Sequence, residues 1–220
     1  MPPMLKWSLL LIFSILALEF SSAPSKAQSV FAKDGNVFIK SRSSQTKQLT
    51  ILGRDSQPSL SPDRRRIAFV RSTPGRTIQT SLGDTEATEL WLVDSDGKHP
   101  DLLVSGKADA DPKKSLADFS SPQFSPDGRK MYFMSVAWVT SGAVHVVDIQ
   151  SKRESFISPA NTLEVIQKGK YRGYLIVQEH KYFFGAKVGS YDHYWLLAPN
   201  GKETRRIGGE RNYRNFKRSN

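Results

Sequence analysis

Two stretches of the chain lie over each other without a gap. Residues 58–69 read PSLSPDRRRIAF and residues 122–133 read PQFSPDGRKMYF. Pro58, Leu60, Pro62, Asp63, Arg65 and Phe69 fall on Pro122, Phe124, Pro126, Asp127, Arg129 and Phe133. Taken alone, an acidic residue in a tight loop suggests an ion site, but the same residue types are what a β-turn requires. A single catalytic loop has no use for two copies, so Pro62-Asp63 and Pro126-Asp127-Gly128 are read as repeated turns. Arg64 stands where the second copy has Gly128, and that position calls for a left-handed backbone that disfavours a side chain.

A second motif recurs more often. "LWLVDSDGK" from Leu90 aligns with "VHVVDIQSK" from Val144, "YWLLAPNGK" from Tyr194 and, more loosely, "VFIKSRSSQ" from Val37. The starts are about 50 residues apart, a period in the range of propeller blades. Each copy is an apolar run, a polar turn and another short strand: Asp101–Val104, Glu154–Ile157, Thr204–Ile207 and Lys47–Leu52. Asp96-Gly97 and Asn200-Gly201 are hairpin turn residues. Asp94 and Asp96 have the alternate spacing of calcium ligands, but no third acid or closing Glu follows, so the turn reading stands.

Upstream of each copy, Arg66–Arg71, Lys130–Val136 and Tyr174–His180 are β-branched or aromatic runs of strand length. Beyond residue 27 no segment carries a helical period. The expected fold is all-β, with about four four-stranded antiparallel units that close into a small ring or form an open arc. The first unit lacks clear inner strands unless Ser29–Ala32 or the C-terminal tail supplies them. Thr73–Thr88 and Ser105–Ser121 are polar, interrupt the units, and are expected to be surface loops.

The Ser-Pro-Asp-Gly turn, the strand after it and the "LWLVDSDG" strand and turn resemble the β-propeller repeat of TolB and its relatives. The resemblance spans residues 30–210, with the full motif in only two units. TolB itself carries an α/β domain before its propeller, and the residues ahead of these repeats are too few to form one. The resemblance implies an interaction platform at the bacterial cell envelope. It transfers no contact residue, because the shared motif is structural.

Lys6, the apolar run Trp7–Leu18 and the small residues Ser25 and Ala27 form a signal-peptide pattern, with cleavage expected after Ala27. Residues 1–27 are therefore read as leader, 28–210 as repeats and 211–220 as a basic, mobile tail. The apolar run is shorter than the ~20 residues that span a bilayer, so no membrane span is expected after cleavage. A periplasmic or secreted protein follows. It has no Cys for a disulfide or a lipid anchor.

The formal net charge is +11. This excess favours an acidic partner, a protein or cell-envelope component; nucleic acid is not expected outside the cytoplasm. Arg64, Arg65, Arg66, Arg205 and Arg206 are the candidate anion contacts. An open arc would also favour pairing with a second copy of the chain.

No Gly-x-Ser-x-Gly, His-Glu-x-x-His or phosphate loop is present, so no catalytic residue and no cofactor is assigned. The alternative function is a ligand- or metal-binding sensor, or a small enzyme, built on the hairpin with Glu179-His180 on one strand and Asp192-His193 on the other. Adjacent strand residues point to opposite faces, so only some of these four can converge.

Overall fold

The structure, a computed structural model, describes residues 28–41, 43–185 and 188–219. The expected leader lies outside them. Within the described residues fifteen strands and one helix follow one another in four antiparallel meanders. Sheet 1 holds β1 (Ser29–Lys33), β2 (Asn36–Lys40) and β3 (Thr46–Gln48). Sheet 2 holds β4 (Asp55–Leu60), β5 (Arg66–Thr80), β6 (Gly83–Asp94) and β7 (Asp101–Ser105). Sheet 3 holds β8 (Ser120–Phe124), β9 (Lys130–Val136), β10 (Gly142–Asp148) and β11 (Glu154–Ala160). Sheet 4 holds β12 (Thr162–Val165), β13 (Leu175–Phe183), β14 (Gly189–Leu197) and β15 (Glu203–Gly208), and α1 (Glu210–Ser219) follows it.

Three sheets thus have four strands and the first has three. Ser29–Lys33 supplies one inner strand of sheet 1, and among the described residues no innermost strand completes it. β4 packs beside β1, β8 beside β4 and β12 beside β8. Apolar residues fill each space between sheets. Val37 and Ile39 meet Ile67 and Phe69; Leu90 and Val70 meet Phe124, Met131 and Phe133; Tyr132 and Val144 meet Leu163, Leu175 and Val177. No comparable packing joins sheet 4 back to sheet 1 among the described residues, so the sheets form an open arc.

The repeated turn has the same bonds in both copies. Ser61 Oγ donates to Asp63 Oδ1 at 2.6 Å, and Ser125 Oγ donates to Asp127 Oδ1 at 2.6 Å. The next amides, of Arg65 and Arg129, donate to the same carboxylate oxygens at 3.1 Å. Arg64 has φ 61° and Gly128 φ 69°, so the arginine does adopt the left-handed backbone of its twin. Upstream, the ladders of β4 and β8 each carry a bulge, at Gln57 (φ 49°) and Ser121 (φ 52°). Both precede a proline, whose missing N–H suits an interrupted ladder. The bulges are bonded to each other: Ser121 N–H donates to Gln57 Oε1 at 2.7 Å, joining the inner strands of sheets 2 and 3.

Two sequence expectations change here. Thr73–Thr88 is not a loop, because β5 and β6 continue as a long hairpin whose Ile78 and Ala87 are buried against Ala117. Its Thr residues favour strand, and Thr73 Oγ1 donates across the hairpin to Ala87 O at 2.6 Å. Residues 105–121 do connect sheets, yet Leu116 and Phe119 within them are buried in the core.

The other change is at the C-terminus, where residues 211–220 are read from sequence as a mobile tail. Glu210–Ser219 forms α1 against the outer face of sheet 4. Glu210 in the first turn and Lys217 and Arg218 in the last complement the helix dipole. Tyr213 and Phe216, three residues apart, form one apolar face. Phe216 packs with Ile176, Leu196 and Tyr171, and Tyr213 stacks on Tyr194 with centroids 4.1 Å apart.

The meander gives the arc two unlike ends. Turns between the first and second strands, and between the third and fourth, gather at one, here the turn end. Ser95 N–H bonds Arg65 O at 2.8 Å there, Ile149 N–H bonds Arg129 O at 3.0 Å, and Arg66 Nη2 reaches Gly128 O at 3.3 Å. Hairpin tips between the second and third strands gather at the other, the tip end, with the connections between sheets. Ser81 Oγ donates to Ala137 O at 2.8 Å there, and Asp55 N–H to Gly35 O at 2.7 Å.

Candidate functional site

At the turn end the inner strands surround a cavity of about 650 Å³. Leu60, Phe124 and Val165 line it from the strand ends, and Arg64, Lys168 and Arg172 bring three cations to its rim. Arg172 is oriented by a bond from Nη2 to Pro126 O at 3.0 Å. Two of the lining glutamines are engaged as braces. Gln123 donates to Leu163 O at 2.8 Å and accepts from Val165 N–H at 2.9 Å, while Gln167 donates to Phe124 O at 2.8 Å.

Arg65, Arg66, Arg129, Lys130 and Lys170 lie on the same turns. Asp63 and Asp127 oppose them. The Ser125 hydroxyl and the Arg129 amide hold the Asp127 carboxyl below its ordinary value. Partial burial pushes the Asp63 carboxyl up, but the Ser61 hydroxyl, the Arg65 amide and the adjacent arginines outweigh it and bring it below normal. Both carboxylates are committed to their turns, so cations are in excess on the inner turns around the cavity, while Asp94, Asp96, Asp101 and Asp148 lie on the outer turns of the same end. Guanidinium groups at such a mouth can bind carboxylate or phosphate through paired hydrogen bonds. Beside it, Tyr132 donates to Pro199 O at 3.2 Å, and burial, with the Asp127 charge, pushes its hydroxyl up to about 12.

The five arginines singled out in sequence therefore separate. Arg64, Arg65 and Arg66 belong to the turn end. Arg205 and Arg206 lie on β15, with Arg205 over the Phe216 ring at 5.8 Å and Arg206 Nε bonded to His193 Nδ1 at 3.1 Å. Lys168 and Arg172 were missed, because the turn of sheet 4 has lost Ser-Pro-Asp and only its "KGKYRG" composition marked it.

The hairpin of sheet 4 divides its four candidates two and two. Glu179 pairs across the ladder with His193, and His180 with Asp192, so successive pairs point to opposite faces. Glu179 is buried, accepting from Ser158 Oγ at 2.8 Å and pairing with Lys181 Nζ at 2.8 Å. Lys181 lies over the Trp195 ring at 3.9 Å. His180 Nδ1 and Asp192 Oδ1 are 2.8 Å apart on the other face. Burial, and then the Arg206 charge, lower the His193 pKa. Among the described residues no three His, Asp or Glu converge as metal ligands.

One buried constellation had no sequence signal. Ser135 Oγ is 2.9 Å from His145 Nε2, and His145 Nδ1 is 2.6 Å from Glu154 Oε1. This is the order of a nucleophile relay, but His145 is fully buried between Phe133 and Phe156, and Ser135 keeps 3% of its surface. The network ties β9, β10 and β11 together. Only the pairing register brings residues 10 and 9 apart in sequence into line.

No family model and no curated protein matches the sequence. Solved structures do match. Porphyromonas gingivalis dipeptidyl peptidase 4 superposes with a TM-score of 0.56 at 16% identity, over 83% of this chain and 31% of that one. The β-propeller domain of the Trilobed protease from Pyrococcus furiosus, described as having an open velcro topology, gives 0.51 at 15% identity, over 79% and 48%. An oligogalacturonate lyase in complex with manganese gives 0.50 at 14% identity, over 79% and 42%. The four sheets are propeller blades. At these identities the likeness concerns the fold alone, and the chain spans less than half the length of each of these matched chains. The peptidase and lyase activities belong to those proteins.

Proposed function

We propose that this chain is a TolB-like propeller, exported to the cell envelope, that acts as a non-enzymatic binding module for an acidic protein or envelope component at its turn end. The observation that carries this reading is the central cavity rimmed by Arg64, Lys168 and Arg172 and surrounded by further basic turns. The inner strands and their glutamine braces hold that mouth in shape, and a pre-shaped basic opening attracts an anionic surface before contact. The signal-peptide pattern supports an envelope location.

The test is recovery of partners from envelope extract on the immobilised protein, at low and high salt, beside a variant with Arg64→Ser, Lys168→Ser and Arg172→Ser. An acidic partner falls away as salt rises. The variant should retain several-fold less of it at low salt. Equal recovery by both proteins, or recovery indifferent to salt, overturns the basic-mouth reading.

A further inference from the structure

Among the described residues blade 1 is the one sheet short of a strand, and its open edge is β1. Asp34 and Gly35, with φ 50° and 68°, form a two-residue hairpin turn, so Lys33 and Asn36 exchange both backbone bonds. Bonded and non-bonded pairs alternate along an antiparallel ladder, which makes Val30–Ile39 and Ala32–Val37 the non-bonded pairs. Val37 agrees with this parity: its carbonyl accepts from Leu49 N–H at 2.8 Å and its N–H donates to Thr50 Oγ1 at 2.9 Å, both on the side of β3. The N–H and C=O groups of Val30 and Ala32 therefore point to the opposite edge, where blades 2, 3 and 4 have a further strand. The innermost strands β4 and β8 each carry a bulge and a proline, devices that blunt an edge, and β1 has neither.

We propose that β1 takes up, as the innermost strand of blade 1, an extended segment of a partner protein whose C-terminal end is acidic. In blades 2, 3 and 4 the first strand is antiparallel to the second and ends at the turn end. The β1–β2 turn is at the tip end, where Gly35 O accepts from Asp55 N–H, so β1 begins at the turn end. A segment laid antiparallel to β1 thus delivers its C-terminal end to the mouth. Gln28, just ahead of β1, lines that cavity together with Arg64, Lys168 and Arg172. Its Oε1 is buried without a hydrogen-bond partner, an acceptor that a backbone N–H of the added strand satisfies. Main-chain pairing supplies the grip, and the rim cations select carboxylates at the C-terminal end of the segment over the other end. The acidic end rests on the basic-mouth reading, whereas the strand addition rests on β1.

The probes are two peptides with blocked ends: an alternating Thr-Val run followed by a Glu run, and the same composition with the Glu run first. Amide hydrogen exchange of the full-length chain is read residue by residue by NMR. The amides of Val30 and Ala32 should exchange freely in the free chain and slow by about tenfold or more with the Glu-last peptide. Anisotropy of the labelled peptides should show the Glu-first peptide binding about tenfold more weakly. Ala32→Pro removes one edge N–H while sparing the β1–β2 bonds, and should weaken the Glu-last peptide by about tenfold. Arg64→Ser with Lys168→Ser and Arg172→Ser should erase the preference between the peptides. Amides already protected in the free chain mean an edge filled by residues ahead of Gln28, or by a second copy if protection grows with protein concentration, and either result overturns the proposal. Salt-sensitive partner recovery at the mouth, with no peptide protection at β1 or no effect of Ala32→Pro, overturns the strand addition and leaves the mouth reading standing. Protection at β1 with equal affinity for the two peptides overturns the acidic end and the mouth reading beneath it.

Discussion

Arg64 and Gly128 occupy the same position of the same turn, so exchanging their chemistry weighs the strain of a left-handed side chain against what the guanidinium contributes. Arg64 has φ 61°, in the left-handed region, where an L side chain costs about 1–2 kcal/mol. Arg64→Gly removes that cost but gives the unfolded chain more freedom, which takes back about 0.4–1 kcal/mol. The net expectation is a stabilisation of about 0.5–1 kcal/mol. Gly128→Ala is the mirror experiment. A Cβ there would meet nothing closer than Pro62 Cδ at 3.8 Å, an ordinary contact, so the loss of about 0.5–1 kcal/mol is a backbone effect alone. Urea denaturation of both variants reads the two values, with the midpoint moving and the slope constant. Arg64 also lines the mouth, so Arg64→Gly should weaken acidic-partner binding while raising stability. If Arg64→Gly instead lowers stability, contacts of the guanidinium outweigh the strain and the reasoning fails.

Two further outcomes follow from the packing and the turn. Phe216→Ala, which opens the contact between α1 and blade 4, should cost about 2–4 kcal/mol in urea denaturation, with reduced helical circular dichroism; a loss under about 1 kcal/mol would mean that the helix is not held by this ring. For the turn, a carboxyl with a lowered folded pKa contributes stability that is present above its unfolded value and lost as pH falls through the folded one. Asp127→Asn should therefore cost about 0.5–1 kcal/mol at neutral pH, discounted because the group is largely exposed, and the gap to the natural chain should close as pH falls below about 4. A gap of constant size down to pH 3 would refute the Asp127 assignment.

The repeat was legible because its turn is specified locally. Ser, Pro, Asp and a left-handed residue make their bonds within five positions, so both copies carry the same local signature, including the irregular Arg64. The bulges at Gln57 and Ser121 escaped, since what defines them is a partner strand's register and a bond across 64 residues. Residues 73–88 looked like a loop because the buried side are Ile78 and Ala87, too few to show a strand's alternation. Helix α1 was hidden for a related reason: ten residues with two rings cannot stand alone in water, and only the face of blade 4 makes the pattern sufficient. The mouth was half visible. Its first arginines follow the motif, while Lys168 and Arg172 are brought there by the arc.

Helix α1 also makes the molecule directional. In a stack of repeats the last face must be closed, and α1 closes blade 4 with Tyr213 and Phe216. Among the described residues blade 1 carries no such closure: Phe31 and Phe38 stack at 5.4 Å on the face turned away from blade 2. Among the described residues one terminus of the arc is covered and the other is open. The covered face of blade 4 disfavours growth by adding copy after copy, face to face in one direction. Should two copies associate through a blade face, α1 leaves the blade 1 face as the one open among the described residues, and joining two such faces gives a two-fold arrangement that closes on itself.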